Sequence, residues 1–297
     1  MQVHGTRLHY IDEGPGDGDP VVMVHGNPTW SFFYRRPIRT LSDRYRTIVP
    51  DHIGMGLSES PLDDAYAYTL ASRIDDLDHL LEQRGVVSNV TLIVHDWGGS
   101  IGLGYAMRHP GRVKRLVILN TAAFHLPAGK AFPPDLTRIR KSFLGPLLVR
   151  GLNAFSLSAV RRCVTTPLSA GVRRGYLEPY NNWRNRLAVL RFVQDIPIDP
   201  ADRSYDLLTE IEESIDQFQD LPVLICWGMY DFIFDADILA EWTRRLPNAE
   251  VHCYSDAGHY VLEDAGVDIS MKIRTFLDDH PLPVSAGSAT EPHDAGA

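Results

Sequence analysis

Six short apolar runs, rich in β-branched residues, recur along the chain. They cover residues 21–24, 47–49, 90–94, 116–119, 223–226 and 251–254. Because these runs are apolar on both faces, they predict buried parallel strands rather than an antiparallel sheet with one solvated face. The stretch 6–26, "TRLHYIDEGPGDGDPVVMVHG", contains a polar Gly-Pro turn and predicts a hairpin that leads into the sheet.

Helical patterns lie between most of the predicted strands. In "YTLASRIDDLDHLLEQRG", residues 68–85, apolar residues recur at helical spacing, with Thr69 as the predicted N-cap and Gly85 as the stop. The stretches 235–248 and 269–279 have similar patterns. Strands that alternate with helices predict an α/β fold with a mostly parallel, doubly wound sheet and right-handed crossovers.

The alternation fails between about residues 125 and 215. This segment holds several prolines among short helical patterns and no convincing strand. A connection of this length cannot be a structureless loop in a compact domain, so it predicts a helical cap inserted between late core strands. We therefore predict a core of residues 1–124 and 216–280, a cap of residues 125–215, and a small, polar, disordered tail of residues 281–297.

Composition narrows the class of protein. The chain has 297 residues, of which 44% are hydrophobic, enough to bury a substantial core. No apolar run is long enough to span a membrane, and "MQVHGTRLHYIDEG" lacks the pattern of a signal peptide, so we expect a cytoplasmic protein. The net charge of −9 argues against a nucleic-acid partner. Three cysteines without CxxC spacing predict reduced, structural thiols: Cys163, Cys226 and Cys253.

Arginines gather at 138–141, 149–162 and 173–191, and make one basic zone in an acidic protein. Such a zone is typical of a solvated helical face. A second interpretation is a surface that docks to an acidic partner or to a membrane. The apolar segments of the same region suit an oily substrate, and they equally suit a helix buried on the core.

The segment "LIVHDWGGSIG" resembles a nucleophile elbow, a sharp turn between a strand and a helix that exposes a nucleophile. Asp96 occupies the position of the nucleophile. Gly98 fits the pattern, whereas Val94 replaces the glycine expected two residues before the nucleophile. The alternative is that Asp96 only caps the following helix, because Asp is a favoured N-cap residue.

Three other segments favour catalysis over capping. Asp231 and His259 each follow a predicted strand, and the order nucleophile, acid, histidine is that of α/β-hydrolases. Parallel sheets bind ligands at the carboxyl ends of their strands, where all three residues fall. The turn "VHGNPTWSFF" places the amide of Asn27 beside that of Trp97 and predicts an oxyanion or anion hole. Asp235 is a second candidate for the acid, although Asp231 lies nearer the strand end.

A carboxylate at the elbow changes the expected chemistry. Asp96 is ionised at neutral pH and can attack an electrophilic carbon without first losing a proton to a base. His259 then remains available to take a proton from water or another group, and Asp231 holds its imidazole in the correct tautomer. The sequence therefore predicts covalent catalysis by Asp96 rather than serine-esterase chemistry.

The remaining histidines predict no metal site. His25 and His95 flank the candidate site and are expected to hold its two turns by hydrogen bonds. The other histidines show no ligand spacing, and no HExxH motif is present. We therefore expect neither a metal nor another cofactor.

With the "HGNPT" turn and the "HDWGG" elbow, the chain resembles the haloalkane dehalogenase superfamily of capped α/β-hydrolases. The resemblance implies that Asp96, His259 and Asp231 form the triad and that Asn27 and Trp97 stabilise a halide or another anion. Epoxide hydrolases share the aspartate elbow but show HGFP in place of "HGNP". They use cap tyrosines, for which Tyr176 and Tyr180 are the candidates here.

A narrower resemblance extends into the cap. The segments "PDHIGMGLS", "RLVILNTAAFHLPAGK", "YLEPYNNWRNRLAVLRFVQDIPI" and "CWGMYDFIFDADILAEW" resemble the β-lactone decarboxylases of bacterial long-chain olefin biosynthesis. The resemblance implies conversion of a cis-disubstituted β-lactone into a cis-alkene and carbon dioxide. It also implies a small hydrophobic substrate and, as partners, a β-lactone synthetase and other enzymes of that pathway. Haloalkane dehalogenation is the alternative, because the catalytic residues do not separate the two activities.

Overall fold

The computed structural model describes residues 1–127 and 129–283, and a seven-stranded sheet forms its centre. The strands are β3 (Tyr10–Glu13), β4 (Pro20–Val24), β5 (Arg46–Pro50), β6 (Val90–Asp96), β7 (Val113–Thr121), β8 (Val223–Gly228) and β9 (Glu250–Tyr254). Their spatial order is β3-β5-β4-β6-β7-β8-β9, and only β3 runs antiparallel to its neighbour. A separate pair, β1 (Gln2–Val3) and β2 (Thr6–Arg7), precedes the sheet. The prediction of a mostly parallel sheet is confirmed.

Helices cover both faces of the sheet. Those of the core are α1 (Arg35–Leu41), α2 (Leu70–Gln83), α3 (Gly98–Arg108), α9 (Ala236–Arg245), α10 (Val261–Asp264) and α11 (Gly266–Asp279). Alternate residues of β4 enter opposite apolar clusters, with Val22 and Val24 on one face and Val21 and Met23 on the other. Helices α2 and α3 pack on the first face, and α1 and α11 pack on the second. The sheet is therefore doubly wound.

A helical segment separates β7 from β8. It contains α4 (Pro134–Lys141), one turn of π-helix (Leu147–Gly151), α5 (Ala154–Arg162), α6 (Ala170–Leu177), α7 (Leu187–Gln194) and α8 (Tyr205–Glu213). No strand occurs among the described residues of this interval, which confirms the helical insertion. The cap boundaries at 125 and 215 stay a prediction, because α8 already packs on the core helix α3.

The predicted N-terminal hairpin is wrong. Strand β3 pairs with β5, which lies between β3 and β4. The Gly-Pro segment therefore passes over the end of β5 instead of forming a tight turn. Gly14 makes this passage possible: its φ is +109°, and a Cβ there would lie 2.1 Å from the carbonyl oxygen of Tyr45.

The helix predicted near residue 70 forms as expected. Thr69 precedes α2, and its side chain accepts a hydrogen bond from the backbone N–H of Ser72. Gly85 follows the helix with a φ of +69°. The tail predicted to be disordered begins at 281, and all of it after residue 283 lies outside the described residues. No helix in the described part of the chain is long and apolar enough to cross a membrane.

Glycines let α3 pack closely against the sheet. A Cβ on Gly98 would lie 1.9 Å from the carbonyl oxygen of Val24, so only glycine fits at this position in the first turn of α3. A Cβ on Gly102, one turn later, would lie 2.7 Å from Cγ1 of Val94. Val94 is the residue that departs from the elbow pattern. Gly102 leaves the space that its side chain occupies.

This packing predicts that Gly102→Ala destabilises the protein through Val94. The added methyl group meets a buried, β-branched side chain with little rotamer freedom, so we expect an overpacking cost of about 1–3 kcal/mol. The control is Gly171→Ala in α6, where a Cβ meets nothing within 4 Å, because it carries the same gain in helix propensity. Urea unfolding measures both variants. In a Val94→Ala background the cost of Gly102→Ala should shrink, and an unchanged cost would refute the contact.

Candidate active site

Asp96 lies at the last position of β6, and only Trp97 separates it from the helix α3. Its φ is +53°, a left-handed conformation that costs a non-glycine residue about 1–3 kcal/mol and is typical of functional sites. The turn fits only because Gly26 faces it: a Cβ on Gly26 would lie 2.0 Å from Oδ1 of Asp96. The Asp96 residue is 7% exposed and borders a cavity. The carboxylate therefore points out of a strained turn toward that cavity.

The structure brings the three residues of the predicted triad together. Nδ1 of His259 lies 2.7 Å from Oδ2 of Asp231, and Nε2 lies 3.4 Å from Oδ2 of Asp96. All three side chains are buried. Asp96 ends β6, and Asp231 and His259 follow β8 and β9, so these parallel strands place all three residues at one edge of the sheet. The second acid candidate, Asp235, instead caps α9 and pairs with Lys130.

Asp231 is held by four donors, and the sequence did not reveal Asn120, the one other side chain among them besides His259. Oδ1 of Asp231 accepts from the backbone N–H groups of Ile233 and Phe234, at 2.8 and 3.0 Å. Oδ2 accepts from Nδ2 of Asn120 at 3.0 Å, in addition to its contact with His259. Asn120 lies near the end of β7 and bonds both backbone groups of Gly228. It therefore ties the acid loop to the sheet.

The predicted anion hole is partly occupied by the enzyme itself. The backbone N–H of Asn27 donates to Oδ1 of Asp96 at 2.7 Å, so it holds the nucleophile in place. The side chain of Asn27 donates from Nδ2 to the carbonyl oxygen of Val189 in α7, at 3.1 Å. We find no hydrogen-bond partner for the indole N–H of Trp97 among the described residues, and Trp97 lines the cavity. Trp97 is thus the donor that remains open to a ligand.

The charges of the three triad side chains determine one another's protonation state. Burial lowers the pKa of His259, but the charge and hydrogen bond of Asp231, followed by those of Asp96, outweigh burial and raise the pKa to about 10. Burial raises the pKa of Asp96, whereas the bond and charge of His259 and the Asn27 N–H lower it below its usual value. At neutral pH the resting site therefore holds an imidazolium between two carboxylates.

The flanking histidines are neutral and hold the two turns. Burial and the charge of His259 lower the pKa of His95 to about 3, and its Nε2 donates to the carbonyl oxygen of His259 at 2.9 Å. His25 is buried, which lowers its pKa, and its Nδ1 donates to the carbonyl oxygen of Gly26 at 2.8 Å. His52 donates from Nε2 to the carbonyl oxygen of His25 at 2.8 Å. These contacts are those expected of structural histidines.

A cavity of about 900 Å³ opens over Asp96 between the core and the helical insertion. Its volume lies near the upper end of the roughly 300–1,000 Å³ typical of ligand sites. Apolar side chains make up most of its lining. They include Phe124, Leu136, Ile139, Leu148, Phe155, Val193, Leu208, Phe232 and Phe234. The carboxylate therefore faces a large apolar chamber.

The cap tyrosines that would suit an epoxide hydrolase lie elsewhere. Tyr176 donates to Glu263, and Tyr180 donates to the carbonyl oxygen of Thr29 at 3.3 Å. Both rings are buried in other contacts, and neither lines the cavity over Asp96. Neither tyrosine is therefore placed to activate an epoxide bound at Asp96.

In the described part of the chain, one group of side chains of the types that bind metals lies close together. Asp78, Glu82 and His109 bring their ligand atoms within 4.8 Å of one another. His109 already contacts Asp78 at 2.7 Å, and Arg112 contacts Glu82 at 2.5 Å. An arginine in this position disfavours a cation, so the group is a surface ion-pair network.

Residues 19–266 match the sequence profile of the family described as alpha/beta hydrolase fold. The match spans most of the chain, and it covers the elbow, the acid and the histidine. The chain belongs to the α/β-hydrolase fold family. A haloalkane dehalogenase from Agrobacterium tumefaciens has a similar solved structure, with a TM-score of 0.81 and 25% identity over 93% of this chain and 94% of the other.

Within this class, the chain is similar to decarboxylases and dehalogenases. A cis-3-alkyl-4-alkyloxetan-2-one decarboxylase from Shewanella oneidensis is 52% identical, over 93% of this chain and 86% of the relative. A protein of the same name from Xanthomonas campestris is 50% identical, over 94% of each chain. A haloalkane dehalogenase from Mycolicibacterium paratuberculosis is 33% identical, over 91% and 87%. The resemblance seen in the sequence and the prediction of an enzyme are confirmed.

The raised pKa of His259 predicts a pH-dependent contribution to stability. Between the unfolded value of about 6.5 and the folded value of about 10, the native state alone keeps the proton. The contribution is therefore complete below pH 6.5 and is lost as the pH rises toward 10. We expect the difference in unfolding free energy between the native protein and His259→Gln to fall over this range.

Urea unfolding at several pH values measures this difference. Asp231→Asn is the matched control, because it keeps the side-chain size and removes the charge that raises the pKa. In the Asp231→Asn background, the unfolding free-energy difference caused by His259→Gln should decline less with pH, and over a lower pH range. A difference that stays constant from pH 6 to 10 would contradict a charged resting imidazole.

Proposed function

We propose that this enzyme is a cis-3-alkyl-4-alkyloxetan-2-one decarboxylase, which converts a cis-disubstituted β-lactone into a cis-alkene and carbon dioxide. The observation that carries the proposal is the 52% identity to a protein of that name over 93% of the chain. An alignment of that extent includes the helical insertion. Because the insertion forms much of the cavity wall, the similarity reaches the part of the protein that selects a substrate.

The shape of the cavity also supports this substrate. A β-lactone with two alkyl chains is apolar except for its four-membered ring. The cavity over Asp96 offers a large apolar volume and a few polar groups at its base. Such a volume fits two chains, whereas a small haloalkane would leave most of it empty. The strained ring would then lie at the carboxylate, with the chains in the apolar chamber.

The chemistry can proceed without a base. Oδ2 of Asp96 attacks the ring carbon that bears oxygen, the carbon–oxygen bond of the ring breaks, and the lactone becomes a free carboxylate on an ester of Asp96. That carboxylate then loses carbon dioxide, its electrons form the alkene bond, and Asp96 leaves with its original oxygens. Attack inverts the carbon, and anti elimination follows, so a cis-lactone gives a cis-alkene. Atoms balance with neither water nor a proton consumed.

Attack at the lactone carbonyl is less suited to this product. It would give an acyl derivative of Asp96 and an alkoxide at the other ring carbon. Neither group then provides the free carboxylate that must lose carbon dioxide. Opening at the ring carbon gives that carboxylate directly, so we propose attack at this carbon.

The resting charge state suits the proposed route. The imidazolium of His259, 3.4 Å from Oδ2 of Asp96, stabilises the carboxylate when it leaves the alkene. The backbone N–H of Asn27 holds the other oxygen throughout. The open N–H of Trp97 can donate to the carboxylate released from the ring. Asp231 keeps His259 charged and oriented.

Haloalkane dehalogenation is the second candidate, because the open Trp97 N–H and the Asn27 side chain both border the cavity. A halide could bind there. This reaction needs water to hydrolyse the ester, and hence a neutral His259. Formation of the ester neutralises Asp96, removes one of the charges that raise the pKa of His259, and would allow this step.

Oxygen-18 water distinguishes the two reactions within Asp96 itself. For a β-lactone in a single turnover, we expect the peptide that contains Asp96 to keep its unlabelled mass, because no water attacks the ester. For a haloalkane hydrolysed by this enzyme, the same peptide should gain one oxygen-18 atom. Mass spectrometry of the digested protein measures the label. Labelled Asp96 after lactone turnover would overturn the proposed route.

A paired substrate test decides the reaction. Purified enzyme should convert a cis-3,4-dialkyl β-lactone into the cis-alkene, as measured by gas chromatography, and release little halide from 1-bromobutane or 1,2-dibromoethane. Asp96→Ala should lose this turnover completely, and it also serves as the control for spontaneous loss of carbon dioxide. Fast halide release with an untouched lactone would leave the dehalogenase. Residual alkene formation of a few per cent in Asp96→Ala would place the nucleophile elsewhere.

A further inference from the structure

The helical insertion carries a charge opposite to that of the rest of the chain. Residues 136–194 contain eleven of the 29 Lys and Arg residues but only one of the 38 Asp and Glu residues, Glu178. This segment begins within α4, after Asp135, and ends with α7. The whole chain has a net charge of −9, so this segment is basic within an acidic protein.

A set of exposed apolar side chains lies within this basic segment. We call it the cap ridge, and it consists of Phe143, Leu144, Leu147, Leu152 and Trp183. Phe143 is 88% exposed and Leu152 is 62% exposed. Soluble surfaces rarely group large apolar side chains in this way, and such groups mark sites of interaction.

Contacts place Trp183 against the π-helical turn that carries Leu147. The guanidinium of Arg150 lies 4.4 Å from the ring centre of Trp183, and its Nε donates to the carbonyl oxygen of Trp183 at 3.1 Å. A Cβ on Gly151 would touch both Leu147 and Trp183, at 3.0 and 3.7 Å. Trp183 therefore lies against the π-helical turn, although it is distant in the sequence.

Two cations next to the ridge in the sequence have no acidic partner among the described residues. Arg138 and Lys141 at the end of α4 are exposed, and neither pairs with a carboxylate among the described residues. Arg140 differs, because it pairs with Asp202 and is largely buried. The basic zone thus divides into cations that hold the fold together and cations that face outward beside the ridge.

We propose that the cap ridge docks this enzyme onto the surface of an anionic lipid bilayer. Bulky apolar side chains surrounded by unpaired Lys and Arg are the pattern of proteins that lie in a membrane interface. The apolar side chains enter the boundary between headgroups and acyl chains, and the cations bind anionic headgroups. Charge complementarity favours this occupant over a second copy of the chain, because two such basic faces repel each other.

The position of the ridge connects docking to the cavity. Leu136, Arg138 and Ile139 of α4, which precedes the ridge, line the cavity, and so does Leu148 of the π-helical turn, within the ridge segment. A docked enzyme therefore holds one wall of its cavity beside the lipid phase. A molecule with long alkyl chains partitions into that phase, so it can enter without crossing water. This last step rests on the proposed function, whereas the docking itself does not.

Vesicle sedimentation tests the docking. The full chain is mixed with vesicles of phosphatidylglycerol and phosphatidylcholine, or of phosphatidylcholine alone. We expect binding to the anionic vesicles that weakens with added salt, and much weaker binding to the neutral ones. Equal binding to both, or binding to neither, would overturn the proposal. Asp96→Ala should bind as the native protein does, so the result does not depend on the reaction.

Paired variants locate the surface. The double variant Arg138→Glu and Lys141→Glu should bind anionic vesicles at least about tenfold more weakly, and so should Phe143→Ser combined with Leu147→Ser. The controls lie on core helices: Arg39→Glu in α1 for charge, and Val267→Ser in α11, where Val267 is 74% exposed, for apolar surface. Neither control should change binding. Controls that weaken binding as much as the ridge variants would overturn the assignment.

Two other occupants give different results. If the ridge instead joined two copies, gel filtration would show a dimer that the Phe143 and Leu147 variants dissociate. If it bound a protein such as a β-lactone synthetase, the ridge variants would lose that association while vesicles failed to bind the native enzyme. Either result would replace the bilayer as the occupant.

Discussion

Burial of three ionised groups at one point is the constraint on which this structure depends. Asp96, His259 and Asp231 are each less than 10% exposed, and a buried charge is tolerated only when it is paired and hydrogen-bonded. One imidazolium between two carboxylates leaves one negative charge. The backbone N–H groups of Asn27, Ile233 and Phe234 stabilise that charge, so two loops and the elbow must converge within hydrogen-bond distance.

That convergence explains the residues that surround the triad. The elbow needs a glycine at 26 facing Asp96 and at 98 facing β4, because any side chain there would separate the donor from the carboxylate. Neutral His95 and His25 add no charge to an environment that already holds three charges. The helical insertion completes the site by covering it with apolar side chains, which strengthens each electrostatic contact beneath it.

Sequence patterns predicted those site residues whose positions depend on the neighbouring sequence. A strand, a sharp turn and a glycine-rich helix identify Asp96, and the position of Asp231 and His259 after strands places them at the same sheet edge. Asn120 could not be found in this way, because its role depends on how β7 and β8 align. The pairing of β3 with β5 was missed for the same reason. Adjacent segments resemble a hairpin, and only the non-local partner shows otherwise.

In the basic zone, the structure separates the cations that pair with acidic residues of the same chain from those that do not, which the sequence alone could not do. The arginine-rich segment predicted either a solvated face or a docking surface. The structure shows for each arginine whether it has an acidic partner. Arg191 pairs with Asp63 at 2.5 Å, and Arg140 pairs with Asp202, so these cations bind acidic residues of the same chain. Arg138, which also borders the cavity, and Lys141 are exposed, and they lie in the same segment as the exposed Phe143 and Leu144 side chains. A solvated face needs no apolar ridge among its charges, and this combination therefore favours a surface that is covered in use.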